Sequence, residues 1–460
     1  MSASPPTSPP HDSPLAGRRV GVVGAGLSGL RAASVLKAAG AQVVVVESGS
    51  VVGGKSRLES RDGLAVDRCL QVLLFADQHL LSWLAELEVG RDFLPLRPVH
   101  AAQLHAGGIV ATRAGSLGEI ARTPGVRWRD RARLLRFPRL IERYAPLLDP
   151  EQPERAADLD YRSVADFARL YLGRSLFERF VTPRVTAETL GDEHQLSRVA
   201  FLLHWQASLG DSVQMGIVAR ALGELAAAAA AQLDVRIGTR AEQIKELAPG
   251  RLALECRDDV AEFDALVVAT SAAEAGRLAA SVVTPAERDF LAGVRSAPLV
   301  TLNVEVNRPL AGLPQLVRIP HVEASPIEVL LVEPGVPGGR ANEGGSRVTL
   351  SARQAWAEAN ASADDSHIEA QLLSALETIF PSLRRSLLGS ALHRDPVGIP
   401  RFEVGAYREL ARFQRVQQDR RQQGRRLYFA ADYLSGPRFE DAVGSGARAA
   451  AALLADLGPS

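Results

Sequence analysis

The sequence predicts an α/β fold, and three stretches carry the prediction. Residues 19–47, RVGVVGAGLSGLRAASVLKAAGAQVVVVE, read as strand, glycine turn, helix and strand. Residues 233–270 contain LDVRIGTRAEQIKEL, LALECRD and FDALVVAT, alternating β segments that end in a buried strand at 265–269. Residues 427–453, LYFAADYLSGPRFEDAVGSGARAAAAL, run from an apolar strand through a turn carrying Asp432, Arg438, Glu440 and Asp441 into an Ala-rich helix.

Each element has a local reason. The first seventeen residues, MSASPPTSPPHDSPLAG, are Pro/Ser-rich and lack the apolar core of a secretory signal, so 1–17 read as a disordered leader. Residues 20–23 then form a short apolar strand, and Gly24, Gly26 and Gly29 supply a GxGxxG turn into a helix that Gly40 ends. Residues 42–46 form the second strand, with Glu47 at its tip. Glycines in such a turn let the backbone approach a pyrophosphate, whose charge sits at the helix N-terminus, and the acid at the strand tip accepts hydrogen bonds from a ribose diol. A dinucleotide is therefore expected.

The next loop, SGSVVGGKSRLES, decides which dinucleotide. Gly53 and Gly54 again permit close backbone approach, while Lys55 and Arg57 bring positive charge toward the phosphates. An NAD enzyme has no use for that second loop. The βαβ unit, its terminal Glu and the GG(R/K) loop together resemble the flavin amine oxidoreductase superfamily, which includes protoporphyrinogen oxidases, carotenoid desaturases and monoamine oxidases. The resemblance spans essentially the whole chain.

It implies non-covalent FAD in a Rossmann-like domain of the glutathione-reductase type, with a discontinuous α+β substrate domain. The FAD-binding domain is expected at 18–75, 212–285 and 395–460, and the substrate domain at 76–211, largely helical, and 286–394, rich in strands. By the same resemblance the C-terminal segment completes the flavin site. Asp432 is expected at the ribityl or pyrophosphate region, and the helix start at Ala442, Val443 and Gly444 aims N–H groups at the pyrimidine end of the isoalloxazine. The backbone at Ala241 is expected to pair with adenine. The flavin carries the chemistry by accepting hydride at N5, so no protein acid or base is identified, and His194 and His204 read as structural.

Composition bounds the rest. Fifty-three basic and fifty-three acidic residues leave no net charge, which argues against a nucleic-acid partner. Two cysteines, Cys69 and Cys256, form no CxxC pair and no disulfide framework, which fits a reducing cytoplasm. No uninterrupted apolar stretch approaches the roughly 20 residues of a spanning helix. Residues 127–148, RWRDRARLLRFPRLIERYAPLL, combine seven arginines with Trp128, Leu134, Leu135 and Phe137, and Pro138 is expected to split them into two helices. They read either as a solvated helical pair or as a peripheral contact with an anionic membrane. The alanine run at 226–231 reads as a tightly packed helix.

Substrate class rests on what the motifs lack. Many amine oxidases place a lysine near flavin N5, on a strand matching 299–304; this chain has no lysine after Lys245. Where they place a cage tyrosine before the terminal helix, this chain has Arg438, which suits a carboxylate better than an amine and is the candidate substrate contact. The stretch IPRFEVGAYRELARF, 399–413, resembles protoporphyrinogen oxidases, whereas Arg68-Cys69 in DRCLQVL resembles phytoene-desaturase-like enzymes. The expectation is an FAD-dependent oxidoreductase acting on a large, mostly apolar, lipophilic substrate, with O2 or a quinone as electron acceptor. Protoporphyrinogen oxidase-like oxidation leads, and carotenoid desaturation, amine oxidation and an FAD-binding scaffold without turnover are the alternatives.

Overall fold

The computed structural model describes residues 13–458 except 62, 75, 88–96, 99, 113–115, 209–214, 218–220, 249, 258, 311–313, 337–339 and 382. Five parallel strands organise one end of the molecule. In spatial order they are Asp234–Arg236, Gln42–Val46, Arg19–Val23, Ala265–Val268 and Leu427–Phe429. The three inner strands are almost wholly apolar because both faces of a parallel sheet are covered. Alternate residues serve the two faces. Val20, Val22, Val43 and Val45 pack with the helices Leu27–Ala38 and Phe439–Leu457, whereas Val23, Val44, Val46 and Val268 pack toward the antiparallel strands Ala241–Ala248 and Arg251–Cys256.

The end of the chain thus returns to the first βαβ unit, and small residues let it come close. A Cβ on Gly446 of the terminal helix would stand 2.1 Å from the Ser28 carbonyl oxygen of the first helix. The alanine-rich helix Leu222–Ala231 lies on the same side, with Ala226 and Ala229 fully buried.

A second sheet has seven strands, ordered Leu387–Pro400, Ser296–Val306, Ser346–Ala352, Ile327–Pro334, Leu316–Arg318, Ala101–His105 and Gly108–Ala111. Its pairs are antiparallel except Leu316–Arg318 with Ala101–His105. Helices between residues 117 and 208 form a separate core around Phe137, Phe167, Phe201 and Trp205. The helix Thr182–Thr189 joins that core to the sheet, since Thr186 hydrogen-bonds Glu328.

Four expectations are corrected. The boundary at 395 falls inside the strand Leu387–Pro400, where Asp395 pairs with Leu299; Pro396 and Pro400 are tolerated because this strand is at the sheet's edge. Residues 101–111, expected among helices, supply two strands of the seven. Of the leader, residues 1–12 lie outside the described residues, but Leu15 is fully buried against the first helix and donates its N–H to the Ala39 carbonyl at 3.0 Å. The break in residues 127–148 comes before Pro138: Trp128–Arg133 ends in a tight turn at Leu134–Arg136, and Pro138 sits in the first turn of Phe137–Tyr144, where its missing N–H costs nothing.

Candidate active site

One cavity of about 600 Å³ runs from the glycine turn of the first strand to the seven-stranded sheet. At its first end, Gly24 adopts φ +102, and a Cβ there would stand 2.5 Å from the Ala269 carbonyl oxygen, so only glycine lets the turn close over the neighbouring strand. The second glycine loop docks on this turn: the Gly53 N–H donates to the Ala25 carbonyl at 2.8 Å. Gly26 differs from its neighbours. It lines the cavity, and a Cβ there would meet nothing within 4 Å. Gly29 is not in the wall; its absent Cβ would stand 2.0 Å from the Gly24 carbonyl oxygen, so it serves turn–helix packing.

Glu47 lines the cavity and fastens the strand tip to the turn. Its carboxylate accepts the Ala25 N–H at 2.8 Å and the Gly49 N–H at 2.7 Å. Ala241 lies on the same wall, and its carbonyl accepts a hydrogen bond from Arg277 at 2.9 Å. Lys55 and Asp432 both line the cavity and pair with each other, Nζ to Oδ2 at 2.6 Å, which joins the second glycine loop to the C-terminal segment.

Other expected residues are placed differently. Arg57 does not line the cavity; it turns onto Glu59, with Nη2 to Oε1 at 2.7 Å. Burial opposes the charge of Glu59, but hydrogen bonds from Arg57 and Arg68 hold its carboxyl down at about 2. The terminal helix starts at Phe439 rather than Ala442, because the Asp441 carboxylate accepts the Arg438 N–H at 2.9 Å and caps it there. Ala442 lines the cavity but its N–H is spent on the Arg438 carbonyl, Val443 is buried in the core, and Gly444 lies against His79. The N–H groups without an intrahelical partner at this helix start belong to residues 439–441.

The far end of the cavity is apolar, with Leu70, Val72, Leu316 and Val329 in its wall. Arg438 reaches it, but its charge is already matched: Nη1 lies 2.8 Å from Asp77 and Nη2 3.1 Å from Asp441. Burial opposes that charge, and the two carboxylates outweigh it, so the guanidinium titrates above its ordinary range. Asp77 is itself pushed upward by burial. Glu440, two residues after Arg438, accepts the N–H groups of His79 and Leu80, both at 2.8 Å.

Sequence reasoning missed three polar residues of this wall. Glu188 pairs with His204 at 2.7 Å. Asp77 accepts the Leu74 N–H at 2.7 Å besides holding Arg438. Arg318 is 4% exposed, and its one hydrogen bond among the described residues runs from Nη2 to the Met215 thioether at 3.3 Å. The available signal was alternation: in the strand Leu316–Arg318, residues 316 and 318 share a face, so an arginine follows leucine into an apolar wall. Cys69 also lines the cavity, but burial and then Asp67 push its thiol up to about 12, which leaves no thiolate at neutral pH.

The DRCLQ stretch proves to be a clamp. Asp67 is fully buried and accepts hydrogen bonds from Arg347 at 3.0 Å, Arg340 at 3.1 Å and Gln71 at 2.9 Å. Gln71 in turn accepts the Leu222 N–H at 2.8 Å. Asp67 therefore ties the seven-stranded sheet to the alanine-rich helix, and Arg68 pairs with Glu59.

The flavin containing amine oxidoreductase family matches residues 27–454, and the chain belongs to it. It is an FAD-dependent oxidoreductase. The chain is similar to two named proteins. Protoporphyrinogen oxidase 2, chloroplastic/mitochondrial, of Arabidopsis thaliana is 26% identical over 200 residues, 40% of this chain and only 35% of that protein. The carotenoid phi-ring synthase of Streptomyces griseus is 26% identical over 432 residues, 85% of this chain and 79% of that one. Putrescine oxidase bound to putrescine shares the fold, with a TM-score of 0.77 and 17% identity over 95% of this chain and 99% of the other. Among the described residues no helix is long and apolar enough to cross a membrane.

Proposed function

We propose that this enzyme oxidises or desaturates a large, mostly apolar substrate, in the manner of protoporphyrinogen oxidases, with FAD held non-covalently at the glycine end. The supporting observation is the continuity of the cavity: the open face of Gly26, the Glu47 carboxylate and the Lys55–Asp432 pair lie at one end of the space that Leu70, Val72, Leu316 and Val329 close at the other. In this reading the Gly26 turn and the first helix receive the pyrophosphate, Glu47 the ribose and the Ala241 backbone the adenine. The FAD-binding part is the five-stranded sheet with its helices, and the seven-stranded sheet with the 117–208 helices is the substrate part. FAD supplies a two-electron acceptor; the chain orients the substrate and keeps water from it.

Amine oxidation is disfavoured by the charges in the wall. Of the acids that would attract an ammonium, Asp77 is matched by Arg438 and Glu188 is hydrogen-bonded to His204. Carotenoid desaturation is the second reading, favoured by the length of the match to the phi-ring synthase. Anaerobic mixing with protoporphyrinogen, a carotenoid precursor or an aliphatic amine tests the choice, because the substrate bleaches the flavin band. If none does, the substrate lies outside these three classes. O2 or a quinone is the proposed acceptor, distinguished by reoxidation rates.

A peripheral membrane contact belongs to the same proposal. All seven arginines of residues 127–148 are exposed, none forms an ion pair among the described residues, and Trp128 and Leu135 stand 73% and 79% exposed among them. The one aspartate of the segment is turned inward onto Ser175, at 2.6 Å. Arginines so placed gain about 1 kcal/mol each at an anionic lipid surface. Co-sedimentation with phosphatidylserine vesicles at low salt, lost at high salt, is expected; no binding at low salt leaves a solvated helical face.

A further inference from the structure

The geometry points to Arg318 as the anchor for a carboxylate on the substrate, so that the enzyme takes an apolar molecule with an acid group rather than a hydrocarbon or an amine. This rests on the functional reading above and narrows it.

Charge bookkeeping in the apolar wall isolates Arg318. Arg438 has two carboxylates, and Glu188 has His204. Arg318 makes no ion pair among the described residues, and its Nε and Nη1 are buried without any hydrogen-bond partner. A second guanidinium, Arg184, acts on Arg318 by its charge; it has no acid bonded to it among the described residues and stands 4.6 Å over the Phe180 ring. Burial and the repulsion of Arg318 push Arg184 down to about 9, and burial pushes Arg318 down as well, with Glu188 the one carboxylate acting against it. A desolvated cation without a bonded anion costs stability, and an anionic ligand would offset that cost.

Access requires little rearrangement. Arg318 and Met215 both line the cavity, and the thioether that caps Nη2 is a weak acceptor on a flexible side chain. A carboxylate replacing the thioether gains a charge-assisted and bidentate partner. Leu316 and Val329 of the same wall hold the apolar body of the molecule, and the strand backbone fixes the distance between them and the guanidinium.

The test is calorimetric titration of the flavin-loaded protein with decanoate, 1-decanol and decylamine, three probes of one chain length. Decanoate is expected to bind at least tenfold tighter than decanol, with decylamine weakest. Arg318→Met, which removes an uncompensated buried charge and so keeps the fold, is expected to abolish the difference; Arg318→Lys keeps part of it. A melting temperature at or above the parent's, with unchanged flavin content, shows in both variants that the fold and the cofactor site are intact. Equal affinities for decanoate and decanol in the parent protein, or a preference that survives Arg318→Met, overturn the inference. Purified protein without flavin would overturn the functional reading instead, and the same titration on that protein would still report on Arg318.

Discussion

The two ends of the cavity solve opposite problems. At the glycine end the polar groups are matched within the protein, over short spans of chain for Glu47 by Ala25 and Gly49 and for the second glycine loop by the first, and over a long one for Lys55 by Asp432. At the apolar end the charges come from distant parts of the chain and are matched unevenly, with Arg438 held by two acids and Arg318 by none. A cofactor common to many enzymes is served by a local and repeatable device. A particular substrate is served by whichever side chain the fold leaves unmatched.

The sharpest way to break this contrast is to fill one side of the glycine turn at a time. Gly26→Val adds a side chain where the protein offers no obstacle, so the chain is expected to fold and purify without flavin. Gly29→Val drives Cβ into the Gly24 carbonyl and is expected to yield insoluble protein. Flavin absorbance per chain and far-UV dichroism distinguish the two; a yellow Gly26→Val protein removes that residue from the cofactor site.

Arg438→Met probes the other end. It leaves the buried Asp77 and the partly buried Asp441 without their cation and is expected to cost about 3 kcal/mol in urea unfolding. A variant as stable as the parent would mean that the pair carries no weight and that Arg438 is available to substrate. Glu47→Gln is smaller in effect: FAD binding weakens by about 2 kcal/mol, read from the dissociation constant, because the carboxylate contributes charge as well as hydrogen bonds. An unchanged constant separates Glu47 from the cofactor.

The smallest effect concerns the joint between the helical part and the seven-stranded sheet. His321 sits between Glu193 at 3.1 Å and Glu328 at 3.0 Å, with Arg353 also bonded to Glu328. Burial opposes protonation of the imidazole, but the two carboxylates raise it to about 9. Because the folded value lies above the unfolded one near 6.5, the stabilisation is complete below pH 6.5 and is lost as pH rises toward 9. The loss is at most about 3 kcal/mol, lessened by the water that reaches the partly exposed ring, and His321→Gln is expected to flatten the melting temperature over that interval. A parent protein with a flat profile there contradicts the assignment.

The same contrast explains what the sequence makes legible. Gly24, Gly26, Gly29 and Glu47 act through backbone geometry within one βαβ unit, so their spacing announces them. The register of the terminal helix does not follow in that way: its start moves to Phe439 because one carboxylate, Asp441, closes back on Arg438. Arg57 is drawn to Glu59, two residues on, by an attraction that the glycine pattern does not encode. Arg438 is legible as a cavity residue, yet its pairing with Asp77 joins positions 361 apart in the chain, which no local pattern reveals. Arg318 leaves only a lone charge in an apolar strand.

Anaerobic flavin reduction tests the central claim most directly, since it engages both ends of the cavity at once. Protein carrying FAD, mixed without oxygen with protoporphyrinogen, a hydrocarbon carotenoid precursor and decylamine in separate cells, is expected to lose its yellow band only with protoporphyrinogen, which alone among the three combines a large apolar body with carboxylates. Bleaching by the amine or the hydrocarbon while protoporphyrinogen leaves the band intact would contradict the account.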